Sequence, residues 1–133
     1  MRIVIDTNVF VSSFFGGNPR KVIDKWFSGS LTLCVSSPML KEYFEVLSRF
    51  HFEDDTLLLR LMAAVEKSSN ILFVENPNEE QWIPVDPADN KFIACAIALK
   101  ARYIVSGDSH LTQRAKIDNI KILTPSEFLN LIA

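Results

Sequence analysis

Four acidic residues, Asp6, Glu42, Asp89 and Asp108, carry the chemistry open to this sequence. Asp6 ends the apolar run RIVID, Asp108 follows YIVSG, Asp89 opens NKFIACAIALKA, and Glu42 lies within MLKEYFEVLSRF. Brought together in a cleft, these carboxylates would raise one another's pKa unless a cation resolved the repulsion. A set of oxygen ligands without His or Cys favours a hard ion, so Mg²⁺ or Mn²⁺ fits better than Zn²⁺. Thr7, Asn8 and Ser106 can add hydroxyl or amide oxygens in support, and Asp86 is a further acid nearby in the chain. Such a site orients water and stabilises charge on a phosphoryl oxygen and its leaving group, which points to phosphodiester hydrolysis. Each residue alone has a plainer reading: Asp89 as a helix cap, Asn8 as a tie for the first turn, His110 as a helix-start histidine and His51 as a surface loop residue.

The elements that must position these acids alternate between strand and helix. RIVID is a continuous β-branched run of the kind covered on both faces, and LTLCVS, NILFVE, YIVSG and IKIL read as four more strands. Asn18 and Pro19 start a helix carrying Val22, Ile23, Trp26 and Phe27 on one face and ending near Gly29. Ser37 and Pro38 start the next, with Leu40, Phe44 and Leu47 at core spacing and Glu42 in the second turn; Glu45 lies one turn on, and the rotation fixed by Phe44 and Leu47 favours Glu42 over it for the cleft. DDTLLLRLMAAVEKSS and NKFIACAIALKA are helical, and Thr124 with Glu127 forms a capping box for a last helix. TLLLRLMAAV has apolar residues on more than one helical face, which is either core or a dimer surface, core being the preferred reading. The expected architecture is α/β: a three-layer α/β/α sandwich around a parallel sheet of about five strands. In such sheets sites form at the carboxyl ends of the strands, where Asp6 and Asp108 fall. Gly107 is read as letting the backbone turn closely before Asp108.

Residues 1–133 fit one domain, since 48% hydrophobic content supplies a real core and only four Gly and six Pro leave little for linkers. Cys34 and Cys95 sit in apolar runs with no ligand spacing and read as buried thiols. The opening MRIVIDTNVF is too short and too soon interrupted by Asp6 for a signal peptide or a membrane span, so a cytoplasmic protein with no membrane partner is expected. A formal charge of −2 gives no general attraction for nucleic acid. With the four acids of the site taken from the 16, however, 12 acidic groups face 14 basic ones, and Arg20, Lys21 and Arg49 stand near turns that could flank the cleft.

The segments IVIDTNVFVSS, KEYFEVL, DPADNKFIACAIA and YIVSGDSHL, in this order and at these separations, resemble the signature segments of PIN-domain proteins. The similarity is to the toxin branch of toxin–antitoxin systems (VapC-like) and spans nearly the whole chain. The resemblance implies a metal-dependent endoribonuclease on a PIN-like fold, cutting single-stranded RNA with Mg²⁺ or Mn²⁺ until a cognate antitoxin protein occupies it, and it implies a homodimer. It implies Asp6, Glu42, Asp89 and Asp108 as catalytic and metal-binding residues, and Ser106 as the small hydroxyl residue two before the last acid. Asp86 has no assigned role in the family pattern.

Other functions make different demands. An aspartyl phosphatase wants a second Asp two residues after the first, where this chain has Asn8. No nucleotide-binding glycine loop exists in the sequence. A non-enzymatic interaction module would keep the fold and use the acids for stability alone. Convergence of the four carboxylates separates it from a nuclease.

Overall fold

Ile3, Val4 and Ile5 have no exposed surface, which a strand achieves only when helices cover both faces of its sheet. The computed structural model describes residues 1–50, 56–67, 70–77, 90–107, 116–117 and 119–133. Its elements run β1 (Arg2–Ile5), α1 (Thr7–Ser13), α2 (Gly17–Phe27), β2 (Thr32–Ser36), α3 (Ser37–Leu47), α4 (Thr56–Glu66), β3 (Ile71–Val74), α5 (Asn90–Ala98), β4 (Tyr103–Val105), β5 (Lys116–Ile117), β6 (Ile120–Leu123) and α6 (Pro125–Ile132). The sheet order is β3-β2-β1-β4-β6-β5. Five strands pair in parallel, as the alternation of elements predicts, and the two-residue β5 adds an antiparallel edge to β6. The chain therefore has the expected three-layer α/β/α fold. Among the described residues no helix is long and apolar enough to cross a membrane.

The order of the strands decides where a site can form. From β1 the chain moves outward through β2 to β3, then returns across the sheet to β4 on the other side of β1. Connections thus leave β1 and β4 in opposite directions, which opens a crevice at their carboxyl ends. Ile5 pairs with Val105 at that end, so Asp6 and Ser106, the next residue of each strand, face the crevice together.

Packing against the sheet follows from apolar stripes. Trp26, Phe92 and Phe128 are the largest fully buried side chains, each contributing about 2–3 kcal/mol of apolar burial. Phe92, Ile93, Ala94, Cys95 and Ala96 are all buried, and α5 packs across β1, β2 and β4. Cys34 and Cys95 are buried free thiols, pushed up by burial to about 11 and about 12. Neither carries an appreciable thiolate at neutral pH.

Several local expectations give way. The sequence reading assigns no element between RIVID and FFGG, where Thr, Asn, Val and Ser are weak helix formers. The seven-residue α1 forms there nonetheless: Asp6 caps it, and Val9 and Phe10 bury against the core. Ser36, not Ser37, caps α3 by accepting from the Met39 N–H at 3.3 Å. The second helix begins at Gly17 behind Gly16, whose φ of +90° and ψ of −154° suit glycine alone, and Pro19 keeps its expected place in the first turn. The rotation of α3 also differs. Met39, Tyr43 and Leu47 face inward, whereas Phe44, expected in the core, is 44% exposed and Leu40 is half-buried. In α4, Leu57 and Leu61 are core, but Leu59 and Met62 are exposed. The last helix has its capping box as expected.

Candidate active site

Asp6 is the anchor. The residue leaves β1 through its own N–H, which donates to the Val105 carbonyl at 3.0 Å, and so extends the β1–β4 ladder by one step. Its carbonyl accepts the first bonds of α1, and its side chain caps that helix, Oδ1 accepting from the Asn8 N–H at 3.0 Å. Ser106 Oγ donates to the other carboxylate oxygen at 2.6 Å. Ser106 is in turn fixed because its N–H donates to the Leu123 carbonyl at 2.8 Å. Asp6 and Ser106 are both buried, so the carboxylate is held in one orientation by donors from two strand ends. A buried acid needs such partners, since an unsatisfied charge away from water costs several kcal/mol.

Glu42 reaches the same place from α3. Thr7, next to Asp6 and buried, donates its hydroxyl to Glu42 Oε2. Lys91, in the first turn of α5, donates to Glu42 Oε1 at 2.8 Å. The neighbouring Tyr43 turns inward and donates its hydroxyl to the Ile5 carbonyl, one residue before Asp6. Burial, together with Cys95, Asp6 and Glu42, pushes the Tyr43 phenol well above its ordinary range, so it stays a neutral donor. This bond explains the rotation of α3: a buried hydroxyl requires an acceptor, and Ile5 supplies one only if Tyr43 takes the inward position and Phe44 the margin. With α3 so turned, Glu42 is half-buried toward Thr7 while Glu45 is exposed.

Of the four proposed acids, the structure thus brings Glu42 to the residue adjoining Asp6, with Thr7 and Ser106 bonded to one acid each. Asn8 contributes its backbone, and its side chain is exposed. Asp89 and Asp108, like Asp86, His51 and His110, lie outside the described residues. The chain neighbours of the two acids are described: Asn90 is buried at the start of α5, and Gly107 follows Ser106. Gly107 does not have a positive φ, and among the described residues a Cβ there would meet nothing within 4 Å. The turn expected before Asp108 lies outside the described residues. Among the described residues no group of three or more His, Cys, Asp or Glu assembles for a metal. What is present, two carboxylates flanked by hydroxyls, is an all-oxygen donor set suited to a hard divalent cation. Sequence reasoning missed Lys91 and Tyr43. The only signal for Lys91 was a lone cation in the apolar run NKFIACAIA.

Comparison with known proteins agrees with this geometry. A family model described as PIN domain matches residues 2–110, the span that contains β1 through β4 and both acids described above. A relative from Methanocaldococcus jannaschii, "Uncharacterized protein MJ1680", is 35% identical over an alignment of 143 residues, covering 97% of this chain and 90% of that one. With the family match over most of its length and the acids at the switch point of its sheet, the chain belongs to the PIN-domain family, whose members are generally nucleases that use divalent metals.

Proposed function

We propose that this protein is an endoribonuclease that hydrolyses phosphodiester bonds in single-stranded RNA with Mg²⁺ or Mn²⁺. The observation that carries the reading is the pair formed at the sheet's switch point: Asp6, buried and oriented by Ser106 and the Asn8 N–H, with Glu42 drawn to Thr7 beside it. Asp6, Glu42, Asp89 and Asp108 are the residues that would hold the ion, and Asp86 is available in support. A bound ion of this kind supplies charge stabilisation at the phosphoryl oxygen and an oriented water. The chain's own part is to fix the donors in advance, so that little reorganisation accompanies binding. The same reading makes the protein a cytoplasmic toxin, homodimeric and silenced by a cognate antitoxin.

The test is cleavage of labelled single-stranded RNA by the purified chain, with Mg²⁺ or Mn²⁺ and with excess chelator. Cleavage should require the ion and vanish in Asp6→Asn, an isosteric change that keeps an acceptor for the Asn8 N–H and therefore the fold. Full activity in that variant, or in chelator, would sink the proposal. Co-expression with the protein encoded by a neighbouring gene tests the antitoxin, and light scattering tests the dimer.

A further inference from the structure

Two open grooves meet beside the acids. One, of about 410 Å³, is bounded by Asn8, Ser12 and Gly107 and reaches Asn18 and Ser126. Asn8 lies two residues beyond Asp6, and Gly107 directly follows Ser106, so this end opens at the candidate site. The other groove, of about 510 Å³, begins at the same Asn18 and Ser126 and ends among Lys21, Asp24 and Lys25. The shared residues make the two a single channel, running from the acids between the first turns of α2 and α6. Nothing in the proposed hydrolysis uses this channel, yet hydrogen-bonding side chains recur along its length.

Near the acids the lining carries the amides of Asn8 and Asn18 and the hydroxyls of Ser12, Thr124 and Ser126, set among apolar Val9, Pro19 and Pro125. At the far end it is cationic, because Asp24 is already engaged by Arg20 at 3.2 Å. Lys21 and Lys25 are exposed, and neither forms an ion pair among the described residues. They lie one turn apart on the same face of α2. In a chain of net charge −2, two lysines with no ion pair among the described residues, at the end of this channel, are a local attraction for a polyanion. No aromatic ring is among the described residues lining either groove, so these residues meet the backbone of a strand and do not stack on its bases.

We propose that this channel is the track along which the sugar–phosphate backbone of single-stranded RNA runs from the candidate site, an inference that rests on the ribonuclease reading. Lys21 and Lys25 hold phosphates, while Asn18 and Ser126 at the waist bond phosphate or 2′-hydroxyl oxygens. Recognition along this part of the strand is therefore tolerant of base sequence.

The experiment uses Asp6→Asn as background, so that the probe survives, with a fluorescein-labelled single-stranded RNA of mixed sequence followed by anisotropy across a salt series in Mg²⁺. Adding Lys21→Ser and Lys25→Ser should weaken binding about tenfold at low salt. The slope of log affinity against log salt should fall by about 1.4, two phosphate contacts at about 0.7 each on a single strand. Lys67→Ser with Lys100→Ser, two exposed lysines away from the channel, should leave both quantities unchanged. All four lysines are exposed, so melting temperatures should match the background. An unchanged slope in Lys21→Ser/Lys25→Ser, while the unsubstituted chain still cleaves RNA, overturns the track and leaves the nuclease reading standing. An unsubstituted chain that cleaves no RNA, on a background that binds none, overturns both.

Discussion

Lys91 holds the position at Glu42 that a cation would want. Its ammonium lies 2.8 Å from Glu42 Oε1, with side chains 18% and 29% exposed, so the pair is partly shielded from solvent. A half-buried pair of this kind contributes about 1 kcal/mol. Lys91→Met should accordingly lower the stability of the metal-free protein by about that amount. Mn²⁺ should then raise the melting temperature of the variant more than that of the natural chain, because the ion no longer competes with an ammonium for Glu42. Equal shifts in the two proteins would show that Lys91 and the ion do not share this carboxylate. Residue types were informative where function follows from the backbone: Asp6 and Ser106 end strands, and a strand end can be read from an apolar run. Lys91 was not legible, because its meaning depends on α3 lying across from α5, and in the sequence it is one more charge.

At the scale of elements, the rotation of α3 makes a quantitative claim. Leu47 is buried and Phe44 is 44% exposed, so Leu47→Ala should cost about 2–4 kcal/mol and Phe44→Ala no more than about 1 kcal/mol. Chemical denaturation of both variants checks it, and a larger loss at Phe44 would reverse the rotation. The start of α6 makes a second claim. Thr124 accepts from the Glu127 N–H at 3.2 Å, and Glu127 accepts from the Thr124 N–H at 3.0 Å, so Thr124→Ala should cost about 1 kcal/mol. The bonds from Thr124, chiefly its backbone N–H, lower the Glu127 pKa. Because the folded value is depressed, this stabilisation is present above the ordinary glutamate pKa of about 4.3 and disappears as pH falls through the lower folded value. Glu127→Gln should remove that component of acid sensitivity from the pH profile of the melting temperature. The capping box was readable because it is complete within four residues of sequence. Position within SSP was not, since either serine can precede Pro38 in a first turn. The short α1 was hidden for a related reason: tertiary burial of Val9 and Phe10 and the Asp6 cap outweigh poor intrinsic propensity.

For the molecule as a whole, alternation of strand and helix was enough to expect a parallel sheet, but not to order it. The order follows from long-range pairing, such as Ile5 with Val105 across 100 residues, and that pairing brings Ser106 to Asp6. The consequence is mechanical as well as chemical. Thr7 on α1, Glu42 on α3 and Lys91 on α5 form one bonded series, and Asp6 and Ser106 join β1 to β4 beneath it. An ion held by these acids would therefore bind only when elements distant in sequence are assembled, and its binding free energy would add to the stability of the whole fold. By mass action, ligand at 100 times its Kd adds about 2.7 kcal/mol, which for a domain of this size raises the melting temperature by about 10 °C. Saturating Mn²⁺ should give a shift of this order in the natural chain and a much smaller one in Asp6→Asn, read by calorimetry with Ca²⁺ and excess chelator as comparisons. A melting temperature that Mn²⁺ does not move, or moves equally in Asp6→Asn, would mean that the acids at the switch point do not hold the ion, and the proposed hydrolytic mechanism would lose its metal centre.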